Sequence, residues 1–322
     1  VAKVDDVRIG DTLRDAAATW TFVPVATPVP KVTFAVMPKN RGDEAKMVPE
    51  LHKLDEGDPT FVAEREDTTG EMVVRGMSGL HIDIMLKRMA RKKVEVATRQ
   101  PRIPYMETVS SKGESMFRHK KQSGGRGQFA EVHLRVAPLA RGESVEFVDE
   151  VVGGSIPRQF IPAVEKGIRE TCAQGVLAGY PFTDVKAIVH FGKFHDVDSD
   201  EFSFKLASSQ AFKLAVADAT PIILEPIMEV EIEVPSRFMG NISGDLNSRR
   251  GRIQGMTQEQ DTAYIQAEVP LSEMMTYSTE LRSLTAGEGD YTFKFGHYEP
   301  VPPHIAKEVI AAAKKQQEAA HA

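Results

Sequence analysis

The chain has 322 residues, of which 41% are hydrophobic and 27% charged, with 46 acidic against 40 basic side chains and a formal net charge of −6. That length exceeds one ordinary core and predicts two or three domains, and the charge excludes a protein that coats nucleic acid uniformly while leaving room for a local basic patch. The single cysteine, Cys172, excludes an internal disulfide and any cysteine cluster for zinc, and no apolar run is long enough to cross a bilayer; cytoplasmic residence fits both.

In chain order, the opening "VAKVDDVRIGDTL" starts as if inside a strand and ends in a turn, so the sequence is expected to be the C-terminal part of a longer protein. After Pro24, Pro28 and Pro30 the elements become regular. "KVTFAVMP" is β-rich, "DEAKMVPELHKL" is helical in pattern despite Pro49, and "TFVAERE" and "EMVVRG" are strands around the turn "DTTG". "GLHIDIMLKRMARK" puts Leu80, Ile84 and Met85 on one helical face, and "VEVAT" is a last strand. This βαββαβ order is the ferredoxin-like split βαβ unit.

From about Pro104 to Glu225 a different α/β module is expected. Strands at "EVHLRVAPL" and "VEFVDEV" precede a helix from Pro157 with Phe160, Val164 and Ile168 spaced four apart. The strand "TDVKAIVHFGKF" leads to a second helix carrying Phe204, Ala207, Ala211 and Leu214, an order that predicts a crossover between parallel strands. The βαββαβ order then returns: "IMEVEIEVP", a short helix "GNISGDLNSRRG" closed by Gly251, strands "RIQGMTQ" and "AYIQAEVP", a helical "LSEMMTYSTELRSL" and a final "DYTFKFGHY". Prolines open a C-terminal Ala/Lys/Glu helix.

Three stretches could carry chemistry. "HKKQSGGRGQF" lies between strands, and in Lys112–Arg126 five cations face Glu114 alone. It lacks the Gly-Lys-Ser/Thr ending of a phosphate loop and leads into a strand, where such a loop leads into a helix. It reads either as a plain glycine-rich hairpin tip or as a tip whose glycines, amides and cations approach RNA closely. "HFGKFHDVDSDEF" gathers His190, His195, Asp196, Asp198, Asp200 and Glu201. Its spacing fits neither a calcium loop nor helical zinc ligands, and Ser199 or Asp198 as the N-cap of the next helix accounts for the acids. His195 has no apolar partner pattern, which leaves it a role as an exposed contact. "DLNSRRGRI" sets Arg249, Arg250 and Arg252 at a helix end, either complementing the helix dipole or clamping RNA phosphates. Met85, Met274 and Met275 read as core, and Cys172 continues the apolar face of its helix.

These stretches together, with "GGSIPRQFIPAVEKGI", "GVLAGYP", "HDVDSDEFSFKLASS", "LEPIMEVEIEVP" and "AEVPLSEM", resemble the C-terminal half of translation elongation factor G in unbroken order from about Pro28 to His304. The resemblance implies an α+β multidomain chain: 1–27 as the end of β-barrel domain II; 28–104 as ferredoxin-like domain III; 105–225, joined by the C-terminal helix 299–322, as a ribosomal-protein-S5-like α/β domain IV; and 226–298 as ferredoxin-like domain V. It further implies a ribosome-dependent translocase acting as a monomer. Its partners are ribosomal RNA and proteins, tRNA and mRNA, and the GTPase and barrel domains that precede these in the family.

By the same resemblance, the domain IV tip that touches tRNA maps to Lys120, Lys121, Gln122, Ser123, Gly124, Gly125, Arg126, His195 and Asp196, and the ribosomal-RNA contacts of domain V map to Arg249, Arg250 and Arg252. No catalytic residue is expected here. GTP and Mg²⁺ belong to the family's GTPase domain, and no GxxxxGK[ST] occurs in this sequence. "GMSGLHI" replaces the family's "GMGELHL" at Ser78 and Gly79, and "TAGEGD" places Glu288 where an arginine is common; with the ending "HYEPVPPHIA" these departures are similar to a divergent second-copy branch. A ribosome-recycling role, or a tetracycline-resistance-type ribosome protection factor, keeps the same fold. A metal-dependent hydrolase centred on His190, His195 and Asp198 is the reading from another class.

Overall fold

A computed structural model describes residues 9–122 and 127–321. The chain divides into two compact units, Val1–Ile103 with Met228–Gly296, and Pro104–Ile227 with His297–Ala322. Residues 9–31 contain no strand; the first, β1, is Val32–Pro38.

The first module follows with α1 (Glu44–Gly57), β2 (Val62–Arg65), β3 (Met72–Gly76), α2 (Gly79–Ala90) and β4 (Val96–Arg99). Its antiparallel sheet has the order β2-β3-β1-β4, which is the split βαβ arrangement expected from the sequence. Val36, Leu51, Phe61, Val74 and Ile82 form its core. The apolar face of α2 differs from expectation. Met85 is buried, but with Ile82, Leu86 and Met89, while Leu80 and Ile84 are exposed. The stripe is rotated because Leu80 falls in the first turn, where Ser78 caps the helix by accepting the N–H of His81 at 3.1 Å. The serine that departs from the resembled pattern thus has a structural task.

The second unit begins with β5 (Met106–Val109), β6 (Gly113–Lys121), β7 (Gln128–Pro138), β8 (Val145–Asp149), α3 (Ile161–Gln174), β9 (Val185–Lys193), α4 (Glu201–Asp218) and the first residues of β10 (Pro221–Pro235). Its sheet has the order β6-β7-β9-β8. The expected parallel pair is β8 with β9, linked through α3, and the other pairs are antiparallel. Inward residues Val132, Leu134, Val136, Ala187 and Val189 meet Val164, Ile168, Phe204 and Ala211 from the helices. Cys172 lies on that apolar face of α3 and is buried. Leu214, expected in the face of α4, is exposed and Ala215 is buried in its place. The two helices approach at Gly167, where a Cβ would stand 2.3 Å from the carbonyl oxygen of Lys205 and the hydroxyl of Ser208.

One buried carboxylate organises the far end of this unit. Glu107, on β5, is fully buried, and its Oε2 accepts the N–H groups of Val176 and Leu177 at 2.7 and 2.8 Å. Its Oε1 accepts those of Ala178 and Tyr180 at 2.7 and 3.0 Å, so the loop "GVLAGYP" is wrapped around one side chain. The C-terminal helix, Pro303–His321, sets Ala313 into a cluster with Ala178, Ile223 and Val301, and Gln317 donates to the carbonyl of Ala178 at 3.0 Å.

In the remaining module β10 continues into α5 (Met239–Ser248), β11 (Arg252–Glu259), β12 (Thr262–Pro270), α6 (Leu271–Met274), α7 (Tyr277–Leu284) and β13 (Asp290–Pro300). The sheet order β11-β12-β10-β13 repeats the permutation of the first module. Along β10, Val230, Ile232 and Val234 enter the core with Ile242, Leu246, Tyr277 and Leu281, and Glu229, Glu231 and Glu233 alternate onto the exposed face. The helical run after β12 is two helices, not one. Met274 is buried and Met275 only half so. Gly251 does not itself take the left-handed position that closes α5. Arg250 does, at φ 58°, while Gly251 donates to Leu246 at 2.8 Å and Arg250 to Asn247 at 3.3 Å. That is a Schellman closure with arginine at the residue where glycine is usual. A side chain at 251 would collide with the Leu246 carbonyl, 2.7 Å from the Cβ position, which places the glycine requirement one residue later.

Candidate nucleic-acid interface

The hairpin of β6 and β7 is in register from Gly113 opposite Val136 to Lys121 opposite Gln128. Strand alternation puts Arg118 and Lys120 on the open face of the sheet and His119 and Lys121 on the helix side. Lys120, Lys121 and Gln122 are exposed at the hairpin end; Ser123, Gly124, Gly125 and Arg126 lie outside the described residues. His119 and Gln128 are joined across the hairpin at 2.9 Å through Nε2 and Oε1.

The second predicted stretch docks against the base of this hairpin. Gly127 donates to Asp198 Oδ1 at 3.1 Å, and Phe129 N–H donates to the Asp198 carbonyl at 2.9 Å. The Ser199 hydroxyl donates to the Phe129 carbonyl at 2.7 Å and accepts the N–H of His195 at 2.9 Å. Ser199 N–H returns to the His195 carbonyl at 3.1 Å, and the Phe129 and His195 rings are 6.4 Å apart. Asp198 and Ser199 are therefore a latch between two loops rather than the cap of α4. The cap is Asp200, which accepts the N–H of Ser203 at 2.7 Å. His195 and Asp196 stand exposed on the latched loop.

Gly127 is buried, and a Cβ there would lie 2.8 Å from the Asp198 carboxyl carbon. Gly127→Ala is expected to push that carboxylate aside and weaken the latch by about 1–3 kcal/mol. Amide exchange at residues 127 and 129 should accelerate by one to two orders of magnitude; unchanged exchange would dismiss the latch.

The charge below the tip is already partly matched. Glu131 is buried on the open sheet face and binds Arg118, His133 at 3.0 Å and Lys193 at 3.4 Å. Burial opposes its ionisation, but the hydrogen bonds from His133 and Arg118 outweigh that and hold its carboxyl below the usual range. The exposed lysines at 120 and 121 stand beyond this matched cluster. Exposed apolar side chains flank the latched loop, namely Phe194, Val197 and Phe202. Reading the acids as a helix cap hid both the latch and these neighbours; the His-x-x-Asp-Ser spacing was the available signal.

The arginines of "SRRGRI" are not one cluster. Arg249 is mostly buried, with Nε 2.8 Å from Asp245 Oδ2 and NH1 3.0 Å from the Glu273 carbonyl; it also binds Glu280, and its guanidinium lies 5.1 Å from the centre of the Tyr277 ring. Arg250 reaches Glu273 at 3.1 Å and the Ser272 hydroxyl at 3.1 Å. Arg252 sits opposite Glu268 in the β11–β12 register, on the sheet face away from α5 and α7. Glu288, the acid at the second departure, pairs with Arg237, whose guanidinium stands 4.6 Å from the Phe238 ring centre.

Among the described residues no three His, Cys, Asp or Glu side chains are grouped so as to hold a metal ion, and no helix is long and apolar enough to cross a membrane. His190 lies on the sheet, its Nε2 3.2 Å from Glu114, whereas His195 and Asp198 belong to the latch.

Three family models match in succession: Elongation Factor G, domain III over residues 27–100, Elongation factor G, domain IV over 101–220, and Elongation factor G C-terminus over 222–309. An elongation factor G-like protein of Thermotoga maritima is 43% identical over 318 residues, covering 98% of this chain and 47% of that protein. A crystal structure from Thermus thermophilus superposes with a TM-score of 0.80 at 41% identity, over 91% of this chain and 44% of that one. The chain thus spans less than half the length of these two relatives. With three family models in order and one relative aligned almost end to end with it, the chain belongs to the elongation factor G family, of which it carries domain III, domain IV and the C-terminal domain.

Proposed function

We propose that this chain is the ribosome-entering part of a translocation factor, whose domain IV tip enters the A site and promotes the GTP-dependent movement of tRNA and mRNA. The observation that supports this most is the latch. It joins the hairpin bearing Lys120, Lys121 and Gln122 to the loop bearing His195 and Asp196, so both act as one end of a single sheet-and-helix body. Such a body transmits a displacement imposed elsewhere without dissipating it in loop motion. The lysines neutralise phosphates, and Gln122 and His195 supply hydrogen bonds. Nothing in the sequence fits GTP itself, because no phosphate loop is present, so no step of nucleotide chemistry is assigned to these residues.

In a full-length factor containing this chain, Gln122→Ala and His195→Ala are each expected to slow single-turnover translocation by about tenfold, the equivalent of one hydrogen bond to a polar or charged acceptor. Unchanged rates in both variants would reject the tip assignment. A factor that releases a bound tetracycline but moves no tRNA would overturn the translocase reading in favour of ribosome protection.

A further inference from the structure

We propose that His195 meets RNA as a hydrogen-bond donor through Nε2–H, in a tautomer dictated by its own loop. The N–H groups of Val197 and Asp198 both point at Nδ1, each at 3.3 Å. A nitrogen that accepts two backbone N–H groups carries no proton, so the neutral ring holds its proton on Nε2. Asp198 Oδ2 lies 3.6 Å from the same Nδ1, beyond hydrogen-bond reach, and its partner Oδ1 is engaged by Gly127. The ring is more than half exposed, so the Nε2–H edge is presented to solvent while the Nδ1 edge is closed by the turn.

The latch fixes where that donor points. His195 N–H and carbonyl are both tied to Ser199, and Ser199 and Asp198 are tied to Gly127 and Phe129. The complementary ligand atom is therefore an acceptor of RNA: a phosphate or 2′ oxygen, or an acceptor on a base edge. The RNA part of this inference rests on the function proposed above; the tautomer does not.

Two measurements separate them. In the chain labelled with ¹⁵N-histidine, the ring nitrogens of His195, assigned by their loss in His195→Gln, are expected to show the Nε2–H pattern. An Nδ1–H pattern would overturn the proposal. Binding of the full chain to ribosomes programmed with messenger RNA, with and without A-site tRNA, gives the second. Glutamine places an N–H near the Nε2 position and asparagine near Nδ1, so His195→Gln should stay within about threefold of the parent. His195→Asn and His195→Ala should bind about tenfold more weakly. Dependence of that loss on tRNA identifies tRNA as the acceptor, and independence identifies ribosomal or messenger RNA. Asparagine matching the parent while glutamine fails, or three variants indistinguishable from it, would overturn the proposal. An Nε2–H pattern in a chain that binds no ribosomes would leave the tautomer standing and remove both the RNA contact and the proposed function.

Discussion

Replacing Glu107 by glutamine is expected to raise the labelling rate of Cys172 by about a thousandfold under native conditions. The carboxylate is fully buried and accepts four backbone N–H groups, two on each oxygen. In glutamine one of those oxygens becomes an NH₂ group, so two N–H donors face a donor and lose their partners in a site closed to water. At about 1–3 kcal/mol for each buried group left unpaired, the loss is on the order of 4 kcal/mol, or about three powers of ten in an opening equilibrium. Cys172 is the only cysteine, it is buried on α3, and its carbonyl accepts the N–H of Phe182 beside the wrapped loop. Burial pushes its thiol up to about 12, so the folded state is nearly inert to thiol reagents and labelling reports opening of this unit. Glu107→Ala should do at least as much, since four donors lose their acceptor. Labelling within a factor of three of the parent in the glutamine variant would show that the loop is held by its apolar contacts instead.

The topology was legible in the sequence because alternation and helical spacing are local signals. "IMEVEIEVP" alternates Val, Ile and Val against three glutamates, and that alone determines which face of β10 enters the core. Where the pattern misled, a polar contact had displaced it. Leu80 looked periodic with Ile84, yet the Ser78 cap starts the helix where Leu80 faces outward. The acids after His195 looked like a helix cap because Asp198 and Ser199 precede α4 by a few residues. Their partners, Gly127 and Phe129, are about 70 positions earlier in the chain, and no local rule reaches that far. The candidate tip residues were named through family resemblance, which said nothing of how the two stretches attach to each other. Glu107 was invisible for the same reason, being one acid in "METV" whose four partners lie beyond residue 175.

The arginine triplet illustrates the same limit with a larger consequence. Arg249→Ala is expected to accelerate amide exchange along the buried stretches of β10 and β12 by two orders of magnitude or more. The guanidinium holds Asp245 through two nitrogens, binds Glu280 and the Glu273 carbonyl, and packs on Tyr277. The hydrogen bonds it donates to Asp245 raise its pKa, burial opposes them, and Glu280 adds to the rise. Removing one member of such a group leaves carboxylates without their cation, typically about 3–5 kcal/mol in a buried pair. Glu280 is 43% exposed, so solvent screens part of that, and about 3 kcal/mol is the expected loss. Arg249→Lys should recover less than half of it, because an ammonium cannot make the forked contact with Asp245. The acid limb carries the same signature. Glu280 is held below its ordinary value of 4.5 first by the Thr276 hydroxyl and then by Arg249. Its contribution is complete above about pH 4.5 and fades as the pH falls through the lower folded value. In Arg249→Ala the acid dependence should shrink without vanishing, since Thr276 still donates at 2.5 Å. An arginine that served mainly as an RNA contact would behave differently: its alanine variant would keep the exchange profile and the acid limb of the parent and weaken only ribosome binding. Arg252, on the opposite sheet face, is the position at which that second pattern is expected.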